Sequence, residues 1–526
     1  MSTDKSHSSQ ADQSVARSAG VISLGIFCSR LLGFLRDRVI ARLFGVYLYA
    51  EAFVVAFRIP NLLRDLVGEG ATNAAFIPVF SEYKLQHTKE EFWELANVVL
   101  NLLLVILMVI TVLGIISAPL IVRVIAPGFT ASAEKLAITI RLTRIIFPYI
   151  LLISLVAYCT GILNSLRHFA VPAFSPCLLN ISIIIFALIF RQGTKGLALG
   201  VLIGGVLQLA VQILVLYKKG FRLKLPRSYR QPAVKAIGRL LLPRMFSSCI
   251  YQLNNLVDSV FGSLAWIVGE GGVAVLYFSY RVILFPLGVF SNALSQAILP
   301  TLSTHALLNR DKLRQVLSWS LRVTFLVILP ASAALIVLAD PIISALFGGG
   351  KFDLYSVHFT ARALLFYSIG LSAYGANRML QSCFFALKDT RTPAKVAFLA
   401  LILNVIFNSI LIFPLKVSGV ALATSISGII TFLILFFMLK KKIGDFEEKK
   451  IFISFLRILA ASICMGVVCY LLSQRNMILA GSRLIKFYKL GLVILAGLVS
   501  YTGFCFIFRV GELRELWRWL AKRKNG

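Results

Sequence analysis

The sequence predicts an all-α polytopic membrane protein of about 14 transmembrane helices, and three observations carry that reading. Of 526 residues, 58% are hydrophobic and 14% charged, against about 25% charged in soluble domains, and mean hydropathy is +0.86. Apolar windows of about 20 residues, long enough to cross a bilayer, recur from one end to the other. Basic residues gather in alternate short loops, the pattern that fixes membrane orientation.

That distribution also sorts the function classes. A net charge of +32 on a soluble domain would point to nucleic acid. Here no basic stretch is interleaved with aromatics on a polar domain, so nucleic acid is not expected as a partner. The eight cysteines (Cys28, Cys159, Cys177, Cys249, Cys383, Cys464, Cys469 and Cys505) lie mostly inside apolar spans and form no C-x-x-C pair, so they read as small buried hydrophobes. The five histidines lack metal-ligand spacing. With no Ser/His/Asp set either, no enzyme is expected.

The spans fall near 20–46, 48–83, 95–124, 136–164, 170–190 and 196–217 in the first half. A second group lies near 233–267, 272–303, 315–339, 356–386, 393–414 and 417–440, followed by 451–473 and 486–509. Residues 1–18 are polar, with no signal-peptide core, and are expected to form a disordered cytoplasmic tail. Segment 218–232, with Lys218, Lys219, Pro226 and Pro232, reads as a cytoplasmic linker between lobes 19–217 and 233–441. A helix pair over 450–509 and a basic tail over 510–526 complete the chain. Loops around Lys84, Arg167, Lys218, Arg310, Lys388 and Lys440–Lys442 share one side, while those at Ala126-Pro-Gly-Phe129, Gly269-Glu-Gly-Gly272 and Gly348–Lys351 are poorer in charge. Both termini are therefore expected in the cytoplasm.

The two lobes echo each other. Ala75-Phe-Ile-Pro78 returns as Ala297-Ile-Leu-Pro300, and the series Ala157-Tyr158, Pro172-Ala173, Asn180 returns as Ala373-Tyr374, Pro393-Ala394, Asn404. An even number of spans per repeat makes the repeats parallel, so two six-helix lobes around a central cavity are expected.

Arginines mark that cavity as cationic. The first span holds Ser29-Arg30-Leu-Leu-Gly33-Phe-Leu-Arg36-Asp37, then Arg38 and Arg42. An arginine at mid-bilayer costs about 2.5–3.5 kcal/mol on insertion scales, so such residues normally face a wet cavity or a partner. Regular helical spacing points Arg36 about 100° away from Asp37, and a bend at Gly33 would let Arg30 and Arg36 converge. Arg38 and Arg42 suit a structural role, with Arg42 snorkelling to an interface. The second span carries Glu51 and Arg58-Ile-Pro60-Asn61-Leu-Leu-Arg64, broken by Pro60, Gly68 and Gly70; the eighth has Tyr280-Arg281 ahead of Pro286. Guanidinium forks around a hydrated cleft fit a diphosphate.

A second polar set lies in the other lobe: Asp258, with Asn404 and Asn408 four apart on one helix face and Thr424 on the next span. Their oxygens are hard ligands suited to a monovalent cation such as Na⁺; they suit equally a hydrogen-bond network between helices.

At these residues the chain resembles the MurJ/MviN lipid II flippases of the multidrug/oligosaccharidyl-lipid/polysaccharide exporter superfamily. The likeness runs through Ser29–Asp37, Pro60–Arg64 with Glu69-Gly70-Ala71, Ala75–Pro78, Ala126–Phe129, Phe147–Leu152, Pro172–Pro176 with Leu179-Asn180, Phe285–Gly288 and Leu299-Pro300. It implies a carrier that moves lipid-linked peptidoglycan precursor from the inner to the outer leaflet by alternating access. Arg30, Arg36, Arg64 and Arg281 would bind the headgroup, with Ser29, Gly33, Asp37, Glu51 and Pro60 in support. The final helix pair would cradle the lipid tail. The implied setting is the bacterial cytoplasmic membrane, with lipid II and membrane lipids as partners and other cell-wall synthesis proteins as possible ones. No cofactor is implied beyond a coupling monovalent cation or the membrane potential. Glu51 stands where aspartate is expected, and Tyr280 where an acid often precedes the arginine. A drug or polysaccharide-precursor exporter of the same superfamily, or a membrane scaffold for cell-wall enzymes, are the competing readings.

Overall fold

The computed structural model describes residues 3–64, 76–225, 231–474 and 483–513, with the side chains of 3–19, 63–64, 242–251, 474 and 483–484 outside that description. The described chain is helical throughout; its one β pairing among the described residues is a bridge between Gly349 and Phe352. Two compact units divide it, Met1–Gln252 and Leu253–Gly526.

The first unit contains α1 (Thr3–Phe44), α2 (Leu48–Arg64), α3 (Ile77–Gln86), α4 (Lys89–Ile116), α5 (Ala118–Ile125), α6 (Ala133–Ile146), α7 (Tyr149–Ser165), α8 (Ala170–Ile189) and α9 (Lys195–Lys218). Two expectations for α1 change. The helix takes in residues 3–18, which were expected to be disordered, and it continues through Gly33 without a break. No proline or glycine precedes Gly20, and one interior glycine costs only about 0.5–1 kcal/mol relative to alanine, too little to interrupt a helix packed along α8.

Local chemistry sets the other boundaries. Thr88 opens α4 with a capping box: its hydroxyl accepts from the Glu91 amide at 3.3 Å while the Glu91 carboxylate accepts from the Thr88 amide at 2.9 Å. Phe76, Phe80, Phe92 and Tyr158 form the aromatic centre of one buried cluster, and the Tyr158 hydroxyl donates to the Ala96 carbonyl at 2.6 Å. Along α9, Gly196, Gly200 and Gly204 recur every fourth residue and bring α8 into backbone contact. A Cβ at Gly200 would lie 2.7 Å from the Ile183 Cα, the small-xxx-small packing of membrane helices. Gly200→Val is therefore expected to force the pair apart at a cost of about 1–3 kcal/mol. A fall in the melting temperature of detergent-solubilised protein would register it, with Gly503→Val, where open space surrounds the glycine, as the neutral control.

The dividing point between units falls inside α10 (Pro232–Gly262) rather than in the 218–232 segment. Beyond it come α11 (Ala265–Val268), α12 (Gly272–Pro286), α13 (Asn292–Leu308), α14 (Arg310–Val337), α15 (Ala339–Leu346), α16 (Leu354–Ile369) and α17 (Leu371–Ala386). The unit closes with α18 (Arg391–Leu415), α19 (Val417–Ile443), α20 (Glu448–Gln474) and α21 (Arg483–Ile507). Asp389, ahead of α18, accepts from the Thr392 amide at 3.0 Å and from Lys442, at the end of α19, at 2.5 Å. Burial pushes its carboxyl up, but Lys442 and Thr392 outweigh that and hold it at about 2. The pair α20–α21 docks on α14. The Tyr501 hydroxyl donates to the Leu326 carbonyl at 2.7 Å, and Glu512, just past α21, forms a buried ion pair with Arg322.

The internal repeat is visible in where helices break. In each half a 28-residue helix is followed by an 8-residue one, α4–α5 and α14–α15. The next span of each half is also interrupted, at Phe147-Pro148 between α6 and α7 and at Gly370 between α16 and α17. The second span of the second half breaks too: α12 leads through a π-helical turn, Leu287–Ser291, into α13, directly after Pro286.

Among the described residues, 10 helical segments are long and apolar enough to cross a membrane. The remaining expected spans are α1, α2–α3, α10–α11 and α16–α17. They fall short because they carry charges, polar groups or breaks, and three of the four hold candidate site residues. Apolar side chains of the qualifying helices, such as Val105, Met108 and Val112 on α4, lie exposed, as lipid-facing positions do.

Candidate functional site

In the first unit the charged residues of α1 separate. Arg30 is exposed. Arg36 and Asp37 are 4% and 0% exposed. The guanidinium wraps around the helix surface to reach its neighbour, donating from Nε at 3.0 Å and from Nη2 at 2.6 Å to Asp37 Oδ1. Its Nη1 donates to Asn180 Oδ1 on α8 at 3.1 Å. Asn180 Nδ2 in turn reaches the carbonyls of Ser29 at 3.2 Å and Pro176 at 3.3 Å. This corrects the spacing argument: the length of the arginine side chain overcomes the 100° offset, and no bend at Gly33 brings Arg30 and Arg36 together. Arg36 is a buried lock between α1 and α8. Arg42 is exposed and Arg38 half-buried.

On α2, Glu51 is 1% exposed and ion-paired with Lys135 of α6. The Lys135 ammonium also lies 4.4 Å from the Phe129 ring centroid, so Ala126–Phe129 supplies a wall for this pair. Pro60 is buried inside α2. The Arg64 side chain lies outside the described residues, as does the segment with Gly68, Glu69 and Gly70. A further polar cluster ties α7, α8 and α9: Gln212 accepts from the Thr160 hydroxyl at 3.2 Å and donates to Ser175 Oγ at 3.1 Å.

In the second unit all four members of the predicted oxygen set converge. The Thr424 hydroxyl lies 3.2 Å from both carboxylate oxygens of Asp258. Asn404 Nδ2 donates to Thr424 Oγ1 at 3.0 Å, and Asn408 Nδ2 donates to Asn404 Oδ1 at 3.0 Å. The chain therefore runs from α10 through α19 to α18. Its outer amide oxygen, Asn408 Oδ1, is buried and accepts no hydrogen bond among the described residues.

Tyr367 on α16, which sequence reasoning missed, donates to Asp258 Oδ2 at 3.3 Å. Its ring packs against Tyr280, centroids 5.4 Å apart, so the residue that departs from the family pattern supports the aspartate's partner. Arg281, next to Tyr280 on α12, is half-buried. The repeat gives these networks a common plan. Asn180 and Asn404 occupy corresponding positions, and each connects to a buried aspartate on the first helix of its half, Asp37 through Arg36 and Asp258 through Thr424.

Comparison with known proteins identifies the architecture. A family model described as lipid II flippase MurJ matches residues 40–488. A probable lipid II flippase MurJ of Buchnera aphidicola is 36% identical over 457 residues, covering 85% of this chain and 88% of that protein. One from Bdellovibrio bacteriovorus is 31% identical over 527 residues, 98% and 99% of the two chains. Among solved structures, a lipid II flippase MurJ in an inward closed conformation superposes with a TM-score of 0.78 at 29% identity, covering 93% of this chain and 98% of that one. An inward-facing multidrug resistance MATE family transporter of the MOP superfamily reaches a TM-score of 0.67 at 17% identity, a likeness of fold alone. With the family model spanning most of its length and relatives matched nearly end to end, this chain belongs to the lipid II flippase MurJ family.

Proposed function

We infer that this chain translocates lipid II from the inner to the outer leaflet by alternating access, in the service of cell-wall peptidoglycan synthesis. The observation that carries the reading is the match to lipid II flippases across residues 40–488. It is a multi-pass protein of the bacterial inner membrane, and loop charge supports placing both termini in the cytoplasm.

The physical task is to carry a diphosphate headgroup across about 30 Å of hydrocarbon. We assign phosphate contact to Arg30, which is exposed, and to Arg281; Arg64 joins them on its position one turn past Pro60, which lies inside an unbroken α2. Arg36 contributes field and rigidity, since its Nε, Nη1 and Nη2 already bind Asp37 and Asn180. Glu51 with Lys135 braces the start of α2 against α6. The prenyl chain stays in lipid or along α20–α21 while the headgroup crosses.

For the driving force, we assign a monovalent cation such as Na⁺ to Asp258, Asn404, Asn408 and Thr424. A carboxylate, two amide oxygens and a hydroxyl form a hard donor set, and the orphaned Asn408 Oδ1 supplies an oxygen whose natural complement is a positive charge. The ion would screen Asp258 and link the first helix of the second unit to α18 and α19. The membrane potential would add its bias on the anionic substrate.

A leaflet-resolved assay of lipid II in cells depleted of this protein tests the function. Lipid II should accumulate in the inner leaflet and return to the outer one on re-expression. A normal leaflet distribution during depletion would overturn it in favour of a scaffold or an exporter of other substrates.

A further inference from the structure

The two faces of α6 do different things. Its buried face holds Thr139, Leu142, Thr143 and Ile146 and, at its start, Lys135, neutralised by Glu51. Its other face is open and carries Arg141 and Arg144, both exposed. They lie three residues apart, hence side by side on the helix. Together with Pro119 of α5 and Ala137, Ile140 and Ile145 of α6 they line a cleft of about 590 Å³. Among the described residues neither arginine has an acidic partner; Glu134, exposed in the first turn of α6, sits two turns from Arg141. Arg123, also exposed, lies one turn beyond Pro119 on α5.

These arginines belong to a helical segment, Ala133–Ser165, long and apolar enough to cross a membrane, and stand just ahead of its apolar run from Ile145. Arg144 stands about 16 Å along the axis from the start of α6, at the edge of that apolar run, with Arg141 one turn before it. Exposed arginines beside such a run are normally matched by water or an anion. The cleft offers two neighbouring guanidinium forks, matched to phosphate oxygens, and beside them the apolar surfaces of Pro119, Ile140 and Ile145. A soluble anion has no use for that wall. A phosphate attached to a hydrocarbon chain uses both parts.

We propose that the α5–α6 cleft is a second phosphate station for the lipid-linked diphosphate, separate from Arg30, Arg64 and Arg281, with Arg141 and Arg144 as its ligands. In the proposed orientation α5 and the start of α6 lie toward the outer side, so the station receives the diphosphate late in the crossing. The proposal rests on the flippase reading.

Photocrosslinking in cells tests it, with p-benzoylphenylalanine replacing Ala137 in the full-length protein. Crosslinks to lipid II are expected from position 137 and not from Val112, which is exposed on α4. The R141Q/R144Q background should reduce them at least tenfold, and R141K/R144K should retain a substantial part, both at normal protein levels. Single R141Q and R144Q variants replace the double one should it fail to accumulate. Equal yields from 137 and 112, yields untouched by R141Q/R144Q, or crosslinks to phosphatidylglycerol in place of lipid II would each overturn the station. The leaflet assay separates the two layers: protein carrying p-benzoylphenylalanine at 137 that moves lipid II without crosslinking refutes the station alone, whereas wild-type protein that moves no lipid II refutes the flippase reading as well.

Discussion

Removing Asp37 is expected to destabilise the first unit by about 3–5 kcal/mol, because the Arg36 guanidinium stays buried without its anion. The same range applies to Arg36→Ala, which strands Asp37 and takes a partner from Asn180. The double variant R36L/D37L is the informative one. Replacing a buried ion pair by apolar groups of similar volume is often neutral or stabilising, so melting of the purified protein should return close to wild type. Leaflet transport by that double variant then reads the charge itself. A stable but inactive protein assigns Arg36 to the cationic field that attracts the substrate, and a stable, active one confines it to the lock. Single variants that melt like wild type would refute the lock.

Sodium is expected to stabilise the wild-type protein and to leave Asp258→Asn unmoved. A ligand that binds only the folded state adds RT ln(1 + [L]/Kd), about 2.7 kcal/mol at 100 times Kd. Melting should therefore rise with NaCl but not with choline chloride at equal ionic strength, and removing Na⁺ should reverse it. Asn408→Leu should blunt the response by deleting the orphaned oxygen, while Tyr367→Phe, which loses one hydrogen bond to Asp258, should keep it. An Asp258→Asn protein that retains the full Na⁺ response would refute the cation site.

Much of this was legible in the residues. Among the described residues the expected spans appear as helices or helix pairs, because twenty-residue hydrophobicity is a local signal; the break read at Pro60 and the bend read at Gly33 instead fall inside continuous helices. The oxygen set of the second unit was legible for a similar reason: a carboxylate, amides and a hydroxyl stand out against apolar neighbours. What stayed hidden were partners distant in sequence. Lys135 lies 84 residues from Glu51 and Asn180 lies 144 from Arg36, and no periodicity encodes such meetings. The Arg36–Asp37 contact defeated helical geometry differently, since a wheel records where Cβ points and not how far a guanidinium travels.

The contact between Arg322 and Glu512 has a consequence for biogenesis. The partners are 190 residues apart, so during synthesis the guanidinium enters the bilayer long before its carboxylate exists. Through that interval α14 carries an unmatched cation and leaves open the surface that α20 and α21 later cover. A chain interrupted anywhere between them retains both defects, the kind of exposed intermediate that chaperones and proteases remove. The ion pair thus works as a check on assembly, admitting to the stable population only chains in which α20 and α21 have been made and docked.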